Sequence, residues 1–161
     1  MRDIKRRNAV IVLLAALAVT AVFVGTVKFS SNPHVKKAQD VVKVHATAQY
    51  GKILVTRGGF TLYTYQLDTK NHSNCYAFCL QMWPPLVVPT GDVPTGDDVT
   101  GLGTITRSNG ERQVTYEGMP LYGYVLDHVP GRTAGEGDGW SVVRLPGSQG
   151  TATKSTTDNT S

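Results

Sequence analysis

The sequence predicts a mainly β, pseudo-twofold domain of two hairpin-containing repeats with one short helical turn, preceded by a single transmembrane helix. Three observations carry that expectation: a ten-residue segment that recurs 59 residues later, an Asn-Gly turn between two β-prone runs, and a long uncharged stretch near the N-terminus. With 161 residues, 40% hydrophobic and 17% charged, the chain has room for one ordinary domain and not for a large multidomain enzyme. Its 17 glycines and 8 prolines favour turns over long helices.

The net charge of +4 is unevenly placed. Arg2, Lys5, Arg6, Arg7 and Lys28 against Asp3 account for all of it, and beyond residue 28 there are 11 Lys/Arg facing 11 Asp/Glu. A polyanion-binding surface needs clustered cations that displace phosphate counterions, so nucleic acid is excluded as a partner. The basic pI of 9.1 instead reads as a membrane-topology signal.

Between Arg7 and Lys28 lie 20 uncharged residues, Asn8 to Val27. As a helix they reach about 30 Å, the hydrocarbon thickness of a bilayer. Residues 1–7 then form a cytoplasmic basic tail, and residues 8–28 a signal anchor embedded in the bilayer. By the positive-inside rule the rest of the chain is extracytoplasmic, in a single-pass protein of the cytoplasmic membrane. The rival reading is a signal peptide cleaved after Ala16-Leu17-Ala18. Cleavage there leaves an apolar new terminus, Val19-Thr20-Ala21-Val22-Phe23-Val24, which argues for retention.

Residues 29–46 have a weak apolar pattern and read as a spacer. Residues 146–161 are almost wholly polar or small and cannot bury enough apolar surface to offset ordering, so a disordered tail is expected. The remaining 47–145 form the domain. Lys52 to Thr56, the Gly58-Gly59 break and Phe60 to Leu67 read as a hairpin. Leu102 to Arg107 and Gln113 to Tyr116 flank Ser108-Asn109-Gly110-Glu111, where a type I′ turn is expected. Val142 to Leu145 is a candidate closing strand, and Asn74 to Trp83 is the one helical candidate.

The internal repeat supplies the candidate site. Gly59 to Asp68 aligns without gaps on Gly118 to Asp127, with Gly, Leu, Tyr, Tyr, Leu and Asp in common, and a tryptophan follows each copy, Trp83 or Trp140. Tyrosines two apart on a strand project from one face, and the aspartate opens the following turn. One reading makes these rings core, with hydroxyls reaching the rim. The other has Tyr63, Tyr65, Tyr122 and Tyr124 lining a groove for a small aromatic or quinone-like ligand, with Asp68 and Asp127 at its mouth.

The motif Tyr-x-aromatic-x-x-Asp, twice, with Ser73-Asn74-Cys75-Tyr76-Ala77-Phe78-Cys79 and Trp83-Pro84-Pro85-Leu86 between the copies, resembles the bacterial secreted-repeat lipoproteins of unknown function. The resemblance runs from about Gly51 through Val143 and includes Gln113 to Gly118 and Gly137 to Trp140. It implies a bacterial cell-envelope protein with a small β repeat domain, and it brings no catalytic residues. No cysteine precedes residue 75, so a lipidation cysteine is missing and the apolar segment takes over anchoring.

Cys75 and Cys79, on the oxidising side of a membrane, are expected to form a disulfide. In a helical turn residues four apart have α-carbons about 6 Å apart, within disulfide range. Closing so short a loop contributes on the order of 2 kcal/mol in the chain-entropy model. A redox-active dithiol is the alternative, with a spacing one residue longer than in thioredoxin-type motifs. Haem attachment lacks its histidine after Cys79, and a closed zinc site lacks a second ligand pair.

His72, four residues after Asp68, and His128, directly after Asp127, read as solvated loop residues before a metal site or an acid–base pair. Asp92, Asp97 and Asp98 lack calcium-loop spacing. Nucleophile-elbow, phosphate-loop and His-Glu-x-x-His motifs are missing, so neither catalytic residue, metal nor cofactor is expected. The sequence thus favours a non-enzymatic envelope module that contacts an envelope protein or small ligand. The alternative is an electron-transfer component that meets a quinone or similar carrier.

Overall fold

The computed structural model describes residues 36–148 and residue 150. The expected cytoplasmic tail, the anchor, residues 29–35 of the spacer and most of the C-terminal tail lie outside the described residues. Among those described, no helix is long and apolar enough to cross a membrane.

The described residues run through nine strands and one helix: β1 (Ala38–Thr47), β2 (Gly51–Thr56), β3 (Tyr63–Tyr65), α1 (Cys79–Met82), β4 (Val87–Val88), β5 (Val93–Gly96), β6 (Leu102–Thr106), β7 (Arg112–Tyr116), β8 (Met119–Pro120) and β9 (Trp140–Val142). They form three ladders, β2-β1-β5, β3-β9 and β4-β7-β6, with β8 on the side of β7.

The expected spacer is in part a strand. From Ala38 onward it is the longest strand of the domain, antiparallel to β2 from Val42↔Thr56 to Thr47↔Gly51 and parallel to β5. Only Val42 of this strand is fully buried, so the alternation that betrays a half-buried strand is diluted to one strong position. The β1–β2 turn closes through Thr47, whose Oγ1 accepts from Tyr50 N at 2.9 Å.

The hairpin around Asn109-Gly110 is β6–β7, paired from Leu102↔Tyr116 to Thr106↔Arg112. Its turn is not type I′. Gly110 alone is left-handed, at φ 86°, and its N–H bonds the Arg107 carbonyl at 2.9 Å while Arg107 N bonds Glu111 O at 2.8 Å. That is a type I turn closed by a glycine bulge, and it spares Asn109 a positive φ.

The expected helix over Asn74 to Trp83 shrinks to four residues, because Ala77 is left-handed at φ 49° and breaks it before Cys79. The expected closing strand sits slightly earlier, at β9, and its continuation bridges β2 at Ile53↔Arg144.

Pseudo-twofold symmetry is visible bond by bond. Leu62 N bonds Leu54 O at 3.0 Å, and Leu121 N bonds Val114 O at 3.0 Å. Val143 from the second repeat bridges Leu54 and Leu62 of the first, at 2.8 and 3.0 Å; Leu86 from the first bridges Val114 and Leu121 of the second, at 2.7 and 2.9 Å. Each repeat thus lends its last strand to the other. At the centre Tyr63 and Tyr122 exchange both backbone hydrogen bonds, at 2.9 and 3.0 Å.

Alternation along these strands divides the core in two. Ile53, Val55, Tyr63, Tyr122, Trp140 and Val142 join one cluster, against which Tyr65, Trp83 and Tyr124 pack. Val42, Leu54, Leu62, Val114, Leu121 and Val143 join the other.

Candidate functional site: a crossed tyrosine–aspartate core

The two motif turns are alike: Asp68 N bonds Tyr65 O and Asp127 N bonds Tyr124 O, each at 3.1 Å. These turns aim the carboxylates inward, and each meets the other repeat's tyrosine. Tyr63 donates its hydroxyl to Asp127 Oδ2 at 2.5 Å, and Tyr122 donates to Asp68 Oδ2 at 2.7 Å. The second carboxylate oxygens accept backbone N–H groups, Asn74 at 2.6 Å for Asp68 and Ala134 at 3.0 Å for Asp127. Each aspartate therefore pins the loop that follows it to a ring from the opposite repeat.

The halves differ in what supports the phenol. Tyr63 Oη accepts the N–H of Gly135 at 3.3 Å. Tyr122 Oη pairs with Ser73 Oγ at 2.7 Å. Buried Arg107 donates to that Ser73 oxygen at 3.0 Å, to Cys75 O at 2.6 Å and to Gln113 Oε1. Its guanidinium also lies 5.1 Å from the centre of the Tyr76 ring. With Ser73 Oγ receiving from Arg107, its own proton is free to point to Tyr122, whose proton goes to Asp68.

Burial sets the protonation. It raises the Tyr122 phenol to about 12, with the Asp68 hydrogen bond adding to it and the Ser73 bond opposing. Burial and the bond to Asp127 drive the Tyr63 phenol further upward. Asp68 is also raised, burial outweighing the Asn74 N–H, the Tyr122 hydroxyl and the Arg107 charge.

Over this core lie four rings in one stack, in the order Tyr65, Trp140, Trp83, Tyr124. Their centres are 4.4, 3.8 and 4.3 Å apart, with interplanar angles of 16°, 5° and 25°. Tyr63 meets Trp83 edge-on at 5.3 Å, and Tyr122 meets Trp140 likewise at 5.0 Å. The repeat symmetry passes between the two tryptophans.

All six candidate ligand residues gather here, yet not as a groove. Tyr63 and Tyr122 have no exposed surface, and Asp68 and Asp127 are buried rather than at a mouth. Their polar groups face one another because a buried phenol and a buried carboxylate each need a partner, and the duplicated fold supplies it. The Tyr63 and Tyr122 hydroxyls accordingly do not reach the rim. Tyr65 and Tyr124 are half-buried at the ends of the stack.

Cys75 and Cys79 are disulfide-bonded with α-carbons 5.3 Å apart, across a loop that is not the expected helical turn. His72 and His128 are exposed, and among the described residues no three His, Cys, Asp or Glu side chains are grouped to hold a metal ion. Arg107 and Gln113 look like ordinary hairpin residues in the sequence; only the fold brings Arg107 to Ser73, with Gln113 as its buried acceptor.

No curated protein and no solved structure matches the chain. A family model described as a secreted repeat of unknown function matches residues 44–87 and again residues 103–144, together more than half of the sequence. The two matched segments are the two halves related by the crossed Tyr–Asp pairs. The chain belongs to this family of secreted repeats of unknown function.

Proposed function

We infer that the chain is a non-enzymatic, membrane-tethered module of the bacterial envelope, whose repeat domain is a rigid scaffold that presents an apolar face to an envelope protein. One observation carries this reading: the acids and phenols of the duplicated motif are engaged with one another across the repeats, which suits a scaffold that fixes loops in place. The motif leucines support the presentation part. Leu67 and Leu126 occupy equivalent repeat positions and are 58% and 44% exposed, directly beside buried aspartates. Their neighbours include exposed Met82 and Val125, joined by the 3.0 Å bond from Val125 N to Met82 O.

The tether rests on sequence: basic residues 2–7, the uncharged run Asn8 to Val27, and the neutral balance beyond. Secretion, as the family description has it, agrees with an extracytoplasmic domain. Protease shaving of intact cells, followed by membrane fractionation, tests the reading. Loss of the repeat domain with a short membrane-retained fragment is expected; a protected chain, or one released whole into the medium, overturns the tether. Crosslinking in the same cells tests presentation. Unchanged partners for a Leu67→Ser/Leu126→Ser variant would overturn that part.

A further inference from the structure

We propose that the Cys75–Cys79 disulfide is a thiol–disulfide exchange site that takes a dithiol reductant, protein or small molecule, with Cys79 as the sulfur attacked. The two sulfurs are placed unequally. Cys75 has no exposed surface and packs in the aromatic cluster, whereas Cys79 is half-buried at the start of α1. Attack requires access along the disulfide, so an incoming thiolate reaches Cys79 and expels Cys75.

The surroundings suit that order. Arg107 donates to the Cys75 carbonyl at 2.6 Å and so fixes the backbone of the buried cysteine while Cys79 stays open to attack. On the outer side Phe78, 82% exposed, and Met82, 39% exposed, flank Cys79 and offer an apolar contact to an incoming protein. Between the cysteines Ala77 is held left-handed at φ 49°, a conformation an alanine leaves when its closure is cut.

The exchange balances as two steps. A thiolate of the reductant bonds to Cys79 Sγ, the Cys75–Cys79 bond breaks, and Cys75 leaves as a thiolate and takes up a proton. The reductant's second thiolate then bonds to its own mixed-disulfide sulfur and releases Cys79. Two electrons pass to the protein, and the reductant ends as a disulfide. The loop thus freed carries Ser73, which meets Tyr122 of the other repeat, and Asn74, whose N–H holds the Asp68 carboxylate that Tyr122 also reaches. Residues Ala134 and Gly135 make the corresponding contacts in the other half without a disulfide.

The full-length chain in detergent tests this. Limiting glutathione, a monothiol, should trap a mixed disulfide on Cys79 and leave Cys75 unmodified, as read by peptide mass spectrometry after acid quench. Dithiothreitol should reduce the bond without denaturant, at a rate that does not follow global unfolding in urea. Amide exchange should then rise severalfold over residues 73–79 and stay unchanged over 134–136. Phe78→Ser should slow reduction by thioredoxin severalfold and leave the dithiothreitol rate unaltered. A mixed disulfide spread equally over both cysteines, or reduction only on unfolding, overturns the site. Equal exchange in both loops overturns the link to the Tyr–Asp core, and an unaffected thioredoxin rate overturns the apolar contact.

Discussion

Tyr63 and Asp127 are 64 positions apart in sequence and joined by a 2.5 Å hydrogen bond in the buried centre of the domain. Its counterpart, Tyr122 to Asp68, crosses in the other direction at 2.7 Å, so each repeat is closed by the other's acid. Removing either phenol oxygen leaves a buried carboxylate short of a donor. Tyr63→Phe and Tyr122→Phe should each cost about 1–3 kcal/mol in urea unfolding, with unchanged slope. Because the two rings are joined by their backbones, the double variant should depart from additivity by about 0.5 kcal/mol or more. Strict additivity of two small losses would show that the crossing bonds are incidental.

Alkaline pH should unfold the domain through the same phenols. Tyr122 is raised from 10.0 to about 12 in the folded chain, and Tyr63 is raised as well. A raised pKa means the native state holds the proton longer, so the stability it contributes is complete below pH 10 and is lost as pH climbs through the folded value. Tyrosinate absorbance should therefore show the Tyr63 and Tyr122 phenols ionising together with loss of circular dichroism. Gradual titration of every tyrosine in a folded chain would contradict it.

Asp68 acts in the same sense at acid pH. Burial raises it above its ordinary 3.8, so the folded state binds a proton the unfolded state has released, and the contribution falls as pH rises through that window. Relative to Asp68→Asn, wild type should lose stability as pH rises above the ordinary 3.8 of the carboxyl. A wild type that gains relative to the variant over that range would mean that Arg107, Asn74 and Tyr122 outweigh burial.

Much of this architecture is legible in the sequence because it is duplicated. The Gly-x-x-Leu-Tyr-x-Tyr-x-Leu-Asp frame identifies the two central strands, and Asn109-Gly110 locates the β6–β7 hairpin. β1 is not legible: its partner β5 and the parallel register are long-range, and Val42 alone carries its burial. The crossing of Tyr63 to Asp127 is equally hidden, since a motif that contains both a phenol and an acid five residues on reads as a self-contained unit. Exchange of Val143 and Leu86 between halves turns those internal pairs into reciprocal ones. Arg107 has no sequence signal, because its role depends on where the Ser73 loop lands.

The paired tryptophans should give an optical signature. Trp83 and Trp140 are 3.8 Å apart and within 5° of parallel, close enough for their indole transitions to couple. Near-ultraviolet circular dichroism should show a strong signal that vanishes in both Trp83→Phe and Trp140→Phe, since one indole cannot couple alone. Trp140, the more deeply buried of the two, should also cost more stability. A signal that simply halves in each variant would place the rings out of contact in solution.

Gly135 joins the stack to the phenol beneath it, and its replacement tests both at once. A Cβ there would lie 2.6 Å from Trp83 Cη2 and 3.0 Å from Tyr124 Cγ, in the middle of stacked rings that have little freedom to retreat. The same residue's N–H bonds Tyr63 Oη at 3.3 Å, so relief by backbone movement loosens the Tyr63–Asp127 pair. Gly135→Ala should cost about 1–3 kcal/mol, the usual penalty for overpacking. Gly123→Ala is the matched control: its Cβ meets only Pro84 Cγ at 3.9 Å, ordinary contact, and a less flexible unfolded chain makes it neutral or stabilising by up to about 1 kcal/mol. Urea melts of the two variants decide the matter, since equal stability would mean that Trp83 and Tyr124 do not close over Gly135 in solution.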